Sequence, residues 1–440
     1  MQRNISPTKI LPIGFLSVIL IGTLLLMLPM ASTEAPLSFF DAFFEATSAT
    51  CVTGLIVVDT ATRFTFFGQL ILLLLIQLGG LGFMTVATFF FVLSGKKISL
   101  KERMTMAESM GENRLQGIIS LALHVLKVTA VVEGCGALLL SLRFIPQFGW
   151  LGGIWRSIFT SISAFCNAGF DLMGNYSSLT AYVSDPVVSL TICALILIGG
   201  FGFGVIQDIL EHRKRRQFRM QTKVVMLFSL ILVVIPSIVF FFLEYHNTME
   251  GMDLKTRLLA SLFQSVTCRT AGFNTIDQFA LKDASKLLSI LLMFIGGAPA
   301  GTAGGIKLTT VAVIFLSAKG LLAEKDRAQA FERWISKTTV IKACSIFFIA
   351  TYALLFGIFL VSVFENGAMG FLNEAYELTS AIATVGLSVG ISGSCSLASR
   401  AVICLLMFMG RVGILTIALA VGGKKEKPYL RYPEADIMVG

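Results

Sequence analysis

Eight apolar runs of about 20 residues recur along the chain, at 10–30, 68–93, 118–141, 187–209, 223–243, 287–318, 338–363 and 399–422. A helix rising 1.5 Å per residue needs ~20 residues to cross a hydrocarbon core of ~30 Å. Inside that core every backbone polar group has to be paired internally, so runs of this kind form helices. Only 14% of the 440 residues are charged and 55% are hydrophobic, against roughly 25% charged in soluble domains. The expectation is an all-α integral membrane protein with eight transmembrane spans. The first run follows Arg3 and Lys9; its apolar stretch is too long for a signal-peptide core, and it reads as a retained helix.

Charge placement orients the spans, because Lys and Arg favour the cytoplasmic side of short loops. The N-terminus and the segments 96–114, 213–223, 319–342 and 424–431 together carry 23 of the 35 Lys and Arg residues, whereas the alternate connections carry nine. Both termini are therefore expected in the cytoplasm. The basic run His212-Arg-Lys-Arg-Arg216 stands beside a span, where it reads as an anchor on lipid headgroups and not as a nucleic-acid site. The eight cysteines include no Cys-x-x-Cys pair, and the three histidines are far apart, so no structural metal site is expected. Gly200-Phe-Gly-Phe-Gly204 lies in an apolar run and opens no strand-helix unit, while Lys307 lacks the preceding glycine of a phosphate loop. Nothing in the chain reads as an enzyme, and no cofactor is expected.

A fourfold repeat organises the apolar runs. Between the two runs of each pair stand Ser48-Ala-Thr-Cys-Val-Thr-Gly54, Ser163-Ala-Phe-Cys-Asn-Ala-Gly169, Val266-Thr-Cys-Arg-Thr-Ala-Gly272 and Ser380-Ala-Ile-Ala-Thr-Val-Gly386. A second glycine landmark follows each after 25, 30, 24 and 24 residues: Gly79-Gly80, Gly199-Gly200, Gly296-Gly297 and Gly410-Arg411. Units of 1–95, 96–212, 213–323 and 324–440 follow. The segments ahead of the first glycines, such as 37–47 and 155–165, are helix-length but too short to span. Each is expected to dip into the membrane and return, with its irregular backbone lining a shared central cavity on a pseudo-fourfold axis.

Rings of backbone carbonyls replace the hydration shell of a cation without adding net charge. Aiming successive carbonyls at an axis requires alternating backbone conformations, including the positive φ that glycine adopts freely. The candidate ion-binding residues are Thr53 and Gly54; Asn167, Ala168 and Gly169; Thr270, Ala271 and Gly272; and Thr384, Val385 and Gly386. One such glycine could merely cap a helix; four at equivalent positions favour a selectivity filter.

These segments, with Cys51-Val-Thr-Gly54, Asn167-Ala-Gly169, Arg269-Thr-Ala-Gly-Phe-Asn274 and Thr384-Val-Gly-Leu387, closely resemble the Trk/Ktr/HKT superfamily of potassium transporters. The likeness runs through Arg431-Tyr-Pro-Glu434 to Gly440 and is nearest to the membrane subunit of bacterial Ktr systems. It implies a potassium-channel-like fold of four helix, pore-helix, helix units in a bacterial cytoplasmic membrane. It also implies potassium uptake with sodium as an activator, by a homodimer seated on a cytosolic ring of regulatory subunits that bind ATP or ADP. Some plant members carry serine at the first filter glycine and prefer sodium, so Gly54 argues for potassium. One glycine per repeat implies looser selectivity than in a potassium channel.

The third repeat departs from its siblings at Gly296-Gly-Ala-Pro-Ala-Gly-Thr-Ala-Gly-Gly305, where glycines at about 1 kcal/mol each and a proline at about 3 undo helix propensity. In the resembling family this is an intramembrane loop below the filter that acts as the gate. Gly296, Gly297, Ala300, Gly301, Thr302, Ala303, Gly304 and Gly305 are its candidate residues here. Arg411 stands where the other repeats have glycine, and a cation within a span faces protein or a cavity by default. It is expected to donate hydrogen bonds to carbonyls of 298–305 and hold the loop closed, with a structural salt bridge as the competing role. Lys307 is expected to snorkel toward the cytoplasm, and Lys127 and Glu133 to be packing partners. The competing transport readings are a secondary carrier for another small solute, which would show two inverted halves, and a less selective Na⁺/K⁺ symporter.

Overall fold

The structure is a computed structural model that describes residues 7–82, 85, 86, 88, 102–104, 106, 117–215, 217–324, 328–413 and 415–417. Arg3, most of the basic segment 96–114, Arg216 and the tail 424–440 lie outside these residues. The helices are α1 (Pro7–Leu26), α2 (Phe39–Cys51), α3 (Phe66–Leu81), α4 (Ile118–Cys166), α5 (Pro186–Gly200), α6 (Phe203–Arg215) and α7 (Met220–Glu244). They continue as α8 (Leu254–Thr267), α9 (Asp283–Phe294), α10 (Leu308–Leu322), α11 (Lys337–Phe364), α12 (Phe371–Ala383) and α13 (Leu397–Val412). A small antiparallel hairpin pairs Gln329–Ala330 with Arg333–Trp334 between α10 and α11.

Among the described residues, four helical stretches are long and apolar enough to cross a membrane: Lys9–Leu26 of α1, Ile118–Cys166, Met220–Glu244 and Lys337–Phe364. Each coincides with the first run of a predicted pair. They leave large side chains such as Leu138, Leu142, Ile235, Phe242, Phe356 and Phe359 exposed, a face suited to lipid. The long helix α4 also absorbs the second short helix. It bends at Gly149 (φ 75°, ψ 173°), three residues after Pro146, because proline removes a helical donor and glycine tolerates the reversed φ.

The short helices α2 and α12 are buried on every side in their last turns, from Phe44 to Cys51 and from Glu374 to Ala383. Ser38 starts α2 by accepting a hydrogen bond from the Asp41 N–H at 3.2 Å, a standard N-cap. Their burial depends on the second helices of each pair. Of these, α3 packs on α2, α5 on α4 and α13 on α12; in addition α3 touches α4, α5 touches α8, α9 touches α12, and α13 returns to α2. These contacts close on themselves in cyclic order.

The second helices differ from the sequence expectation. The runs 68–93, 187–209 and 399–422 read as continuous, with a break only in 287–318, yet the described chain leaves its helix in all four. Gly82 (φ 78°) ends α3, Gly202 (φ 81°) stands at a 98° bend between α5 and the first turns of α6, and Gly413 (φ 96°) ends α13. In the third case α9 gives way at Ile295 to an irregular loop that lasts until α10. Gly79-Gly80 and Gly199-Gly200 are thus followed by a third glycine that turns the chain, as Gly410 is by Gly413, a feature that average hydropathy does not register.

On the loop after α11, the Glu365 carboxyl accepts from the Ser396 N–H at 2.9 Å and from the Ser399 hydroxyl at 2.5 Å, fixing the start of α13. The Ser399 hydroxyl, followed by Ser396, holds this carboxyl below the usual carboxylate range. A depressed folded-state pKa stabilises above the unfolded value and loses that stabilisation as pH falls through the folded one. Melting temperature is therefore expected to drop more steeply between pH 5 and pH 3 (about the range of carboxylate titration) in the native protein than in Glu365→Gln; parallel curves would refute the link.

Candidate functional site

The four predicted glycines meet. A Cβ added to Gly54 would collide with the carbonyl oxygen of Ala168, one on Gly169 would lie 2.9 Å from that of Ala271, and one on Gly272 would lie 2.5 Å from that of Val385. One on Gly386 would strike the carbonyl oxygen of Thr53, which closes the ring. Each glycine has a positive φ, between 70° and 94°, so both conformation and space require it.

The residue two before each glycine is also left-handed: Val52 (φ 58°), Asn167 (φ 60°), Thr270 (φ 64°) and Thr384 (φ 52°). These are costly conformations for side chains other than glycine, and backbone bonds to the short helices hold them. Thr53 N–H donates to the Ser48 carbonyl, Ala168 N–H to Ser163, and Val385 N–H to Ser380, each at 2.8 Å. Ala271 N–H donates to Thr267 at 3.0 Å. The amides thus point back into the short helices. Among the described residues, nothing donates to the carbonyls of Thr53, Ala168, Ala271 or Val385. The side-chain oxygens Thr53 Oγ1, Thr384 Oγ1 and Asn167 Oδ1 are likewise buried without a partner. Such a concentration of unpaired oxygen in a protein interior fits a site that binds a dehydrated cation. Val52 had no place among the candidates; aligning the four segments two residues before the glycine would have found it.

On one side of the ring is a cavity of about 420 Å³ whose lining includes all four glycines, Asp171, Asn274 and Asp277. Burial pushes the Asp171 carboxyl up to about 6, opposed by the Met173 N–H that donates to it and aided by nearby Asp59.

On the other side is the glycine-rich loop. Gly304 is packed so closely on Thr384 that a Cβ there would meet its Oγ1, and Gly305 lies against Ala383. The Thr302 hydroxyl donates to the Phe165 carbonyl at 3.0 Å, and Ala298 N–H to the Gly200 carbonyl at 2.8 Å. Phe203 N–H returns a bond to the Ala300 carbonyl at 2.9 Å, and Ala300 is left-handed (φ 57°). Gly296 and Gly297 are clamped to the far end of the loop, by Gly296 N–H to Ile306 and Leu308 N–H to Gly297. Gly301 fits against Gly199 and Gly202, and Ala303 against Gly297.

Arg411 reaches this loop. Its Nη1 donates to the Thr302 carbonyl, and its Nη2 to the carbonyls of Gly79 and, at 2.9 Å, Gly80. Of the three acceptors, the Thr302 carbonyl belongs to the loop and those of Gly79 and Gly80 to the end of α3. Lys307 is half-buried and its Nζ donates to the Ala303 carbonyl at 2.7 Å, a contact within the loop that the snorkelling expectation does not include. The Arg269 guanidinium points away from the ring, donating to Ser229 Oγ at 3.1 Å, while Asn167 Nδ2 ties the ring to the Arg269 carbonyl at 3.3 Å. Glu133 accepts from Gln77 at 3.1 Å, as a packing partner would.

The second glycine landmarks gain a reason. A Cβ on Gly79, Gly199 or Gly410 would strike the carbonyl of Thr50, Phe165 or Ile382 respectively, always the residue four before the ring glycine. Only glycine lets the second helix pass this close beneath the short helix.

Membrane-crossing helices around a ring of unpaired carbonyls define a cation-transport protein. The TrkH family of cation transport proteins matches residues 6–428, and the chain belongs to it. It is similar to Ktr system potassium uptake protein B of Bacillus subtilis, at 41% identity over 99% of this chain and 97% of that protein. Potassium/sodium uptake protein NtpJ of Enterococcus hirae is 38% identical over 100% of this chain and 98% of that protein. Among solved structures, the potassium transporter TrkH from Vibrio parahaemolyticus matches with a TM-score of 0.72 at 19% identity, over 95% of this chain and 85% of that one; this likeness speaks for the fold. The family places the protein in the membrane as a transporter, not an enzyme.

Alanine at the ring glycines is expected to impair cation uptake in the order of crowding, with Gly386→Ala most severe and Gly169→Ala least; equal losses would separate function from the interlock. Because the Asp171 pKa is raised to about 6, its carboxyl is ionised above that pH and neutral below it. Apparent cation affinity measured by uptake should therefore fall a few-fold as external pH drops from 7.5 to 5, and Asp171→Asn should flatten that dependence.

Proposed function

We propose that the protein takes up potassium through a backbone-carbonyl selectivity filter at Gly54, Gly169, Gly272 and Gly386. The observation that carries this reading is the closed interlock of the four glycines with their neighbours' carbonyls, each preceded at two residues by a left-handed residue. Thr53, Asn167, Ala168, Thr270, Ala271, Thr384 and Val385 complete the filter, with oxygens that replace water around the ion. The units 1–95, 96–212, 213–323 and 324–440 then act as four pseudo-equivalent repeats with eight membrane passages and both termini in the cytoplasm. Names of relatives such as the Bacillus subtilis Ktr proteins B and D support potassium as the cargo. The lettered proteins of a Ktr system also support a partner protein; in this reading it is a cytosolic nucleotide-binding subunit, and the membrane subunit acts as a homodimer.

The loop 296–305 is the gate in this reading. It stands directly beneath Thr384 and Phe165, so an ion leaving the filter meets it first. Arg411 and Lys307 hold its carbonyls, and their charges oppose passage of a cation until the loop moves. Sodium stimulates uptake here as an activator, and the name of the Enterococcus relative, potassium/sodium uptake protein, favours a second reading as a less selective Na⁺/K⁺ symporter.

Rubidium uptake into cells lacking their own potassium transport, with and without sodium and a regulatory partner, tests the function. Uptake that potassium outcompetes over sodium is expected; none from well-folded protein under any condition defeats the reading. Arg411→Ala should raise flux in the absence of the partner, and unchanged flux and regulation in well-folded protein would remove Arg411 from the gate.

A further inference from the structure

Beyond its glycines, each corner of the ring leads into a loop that must be held if the carbonyls are to keep their aim. The short helices hold it from behind, and they do so with different chemistry in each repeat. Glu45, nine residues before Gly54, accepts at Oε1 from the Val57 and Val58 N–H groups at 2.8 and 3.1 Å. Glu377, nine residues before Gly386, takes the Val389 N–H on Oε2 at 3.0 Å. Its Oε1 accepts from the Ser388 hydroxyl, the Ser392 N–H and the Ser392 hydroxyl at 2.7, 3.1 and 2.5 Å. Val57 and Val389 both stand three residues after their glycine, so the two contacts are equivalent. Both glutamates are fully buried.

The other two corners are tied without a carboxyl. Arg156 Nε donates to the Leu172 carbonyl at 3.1 Å, again three residues after the glycine. In the third repeat Gln278 Nε2 donates to the Ile276 carbonyl at 2.8 Å, while Gln264 and the Tyr376 hydroxyl both donate to Gln278 Oε1 at 2.8 Å.

We infer that Glu45 and Glu377 are positioning residues that fix the outer half of the filter and thereby set discrimination between potassium and sodium. The inference rests on the filter reading above. The physical reason is that a filter favours the larger ion only while its oxygens resist closing around the smaller one. In a dry interior the amides released by loss of a carboxyl have no water to turn to, so the loop would move to satisfy them. Glu377 engages four donors on two oxygens, whereas Glu45 engages two on one and leaves Oε2 unpartnered. The two sites therefore respond differently to an amide: at position 45 a glutamine can keep its oxygen on the Val57 and Val58 amides, while at 377 its NH₂ must face a donor.

The test is rubidium uptake by the full-length protein in potassium-transport-deficient cells, titrated with sodium, alongside size-exclusion and thermal-melting profiles. Glu45→Ala and Glu377→Ala should let sodium compete at about ten-fold lower concentration, with the larger change at 377. Glu45→Gln should restore native discrimination and Glu377→Gln should not. Alanine variants that fold and keep native discrimination overturn the inference, as does a Glu45→Gln variant as impaired as Glu45→Ala, which would make charge the cause. If the alanine variants fail to fold, Ser388→Ala and Ser392→Ala each remove a hydroxyl donor to Glu377 and leave the short helix intact; a smaller shift in the same direction supports the inference and none overturns it. Native protein that shows no preference for rubidium over sodium refutes the filter reading itself, a result distinct from failure of the struts.

Discussion

The structure turns on four contacts in which the Cα of a glycine lies against the carbonyl of the next corner. No side chain fits there, so the four short helices can bring their ends together only as a closed set. The contacts also explain why the preceding residues accept left-handed backbone. At Val52, Asn167 and Thr384 the N–H groups are consumed by the short helices, as are those of Thr53, Ala168, Ala271 and Val385, and the carbonyls of these last four have no donor among the described residues. Unpaired buried oxygen is unfavourable unless something else satisfies it. In the proposed filter a dehydrated cation meets that need.

A second layer of glycines makes the first possible. Gly79, Gly199 and Gly410 let the second helices cross directly beneath the short ones, and Gly82, Gly202 and Gly413 then turn the chain away. The chain after α9 uses the corresponding position differently. Gly296 meets not a short helix but Gly304 of its own loop, and the space the siblings fill with helix is occupied by irregular backbone. That backbone is held by pairing with Gly199, Gly200 and Phe203 and by Arg411 and Lys307, which donate to the carbonyls of Thr302 and Ala303. Irregular backbone in a membrane is tolerated only when protein or water satisfies it, and here cationic side chains share that work.

Symmetry and its violation therefore divide along the axis. At the ring the four corners differ little in backbone, since the steric requirement is the same for each. Behind the ring they differ in chemistry, with carboxyls at Glu45 and Glu377, a guanidinium at Arg156 and paired amides at Gln264 and Gln278. Below it they differ in fold. A helix end needs only a polar contact of some kind to hold a loop, so divergence there is cheap, whereas divergence at the glycines is not.

Much of this was legible in the sequence. Length and periodicity of the apolar runs fixed the long helices, because burial of backbone in lipid leaves one solution. Spacing of the glycines marked the ring, and the loss of helix propensity at 296–305 together with Arg411 marked the loop. Other features depended on contacts between distant segments. That Lys307 bonds the Ala303 carbonyl, that Val52 joins the left-handed set, and that the runs beyond Gly80, Gly200 and Gly410 break follow from how the helices and loops pack together. The hydrogen bonds from Val57, Val58, Val389 and Ser392 to buried glutamates were decided in the same way. The sequence alone marked four glycines at four equivalent turns, since a positive φ is a local demand; only the tertiary structure determined what each corner leans on, since that depends on which carbonyl of the next corner meets the glycine and which side chain of the short helix reaches the returning loop.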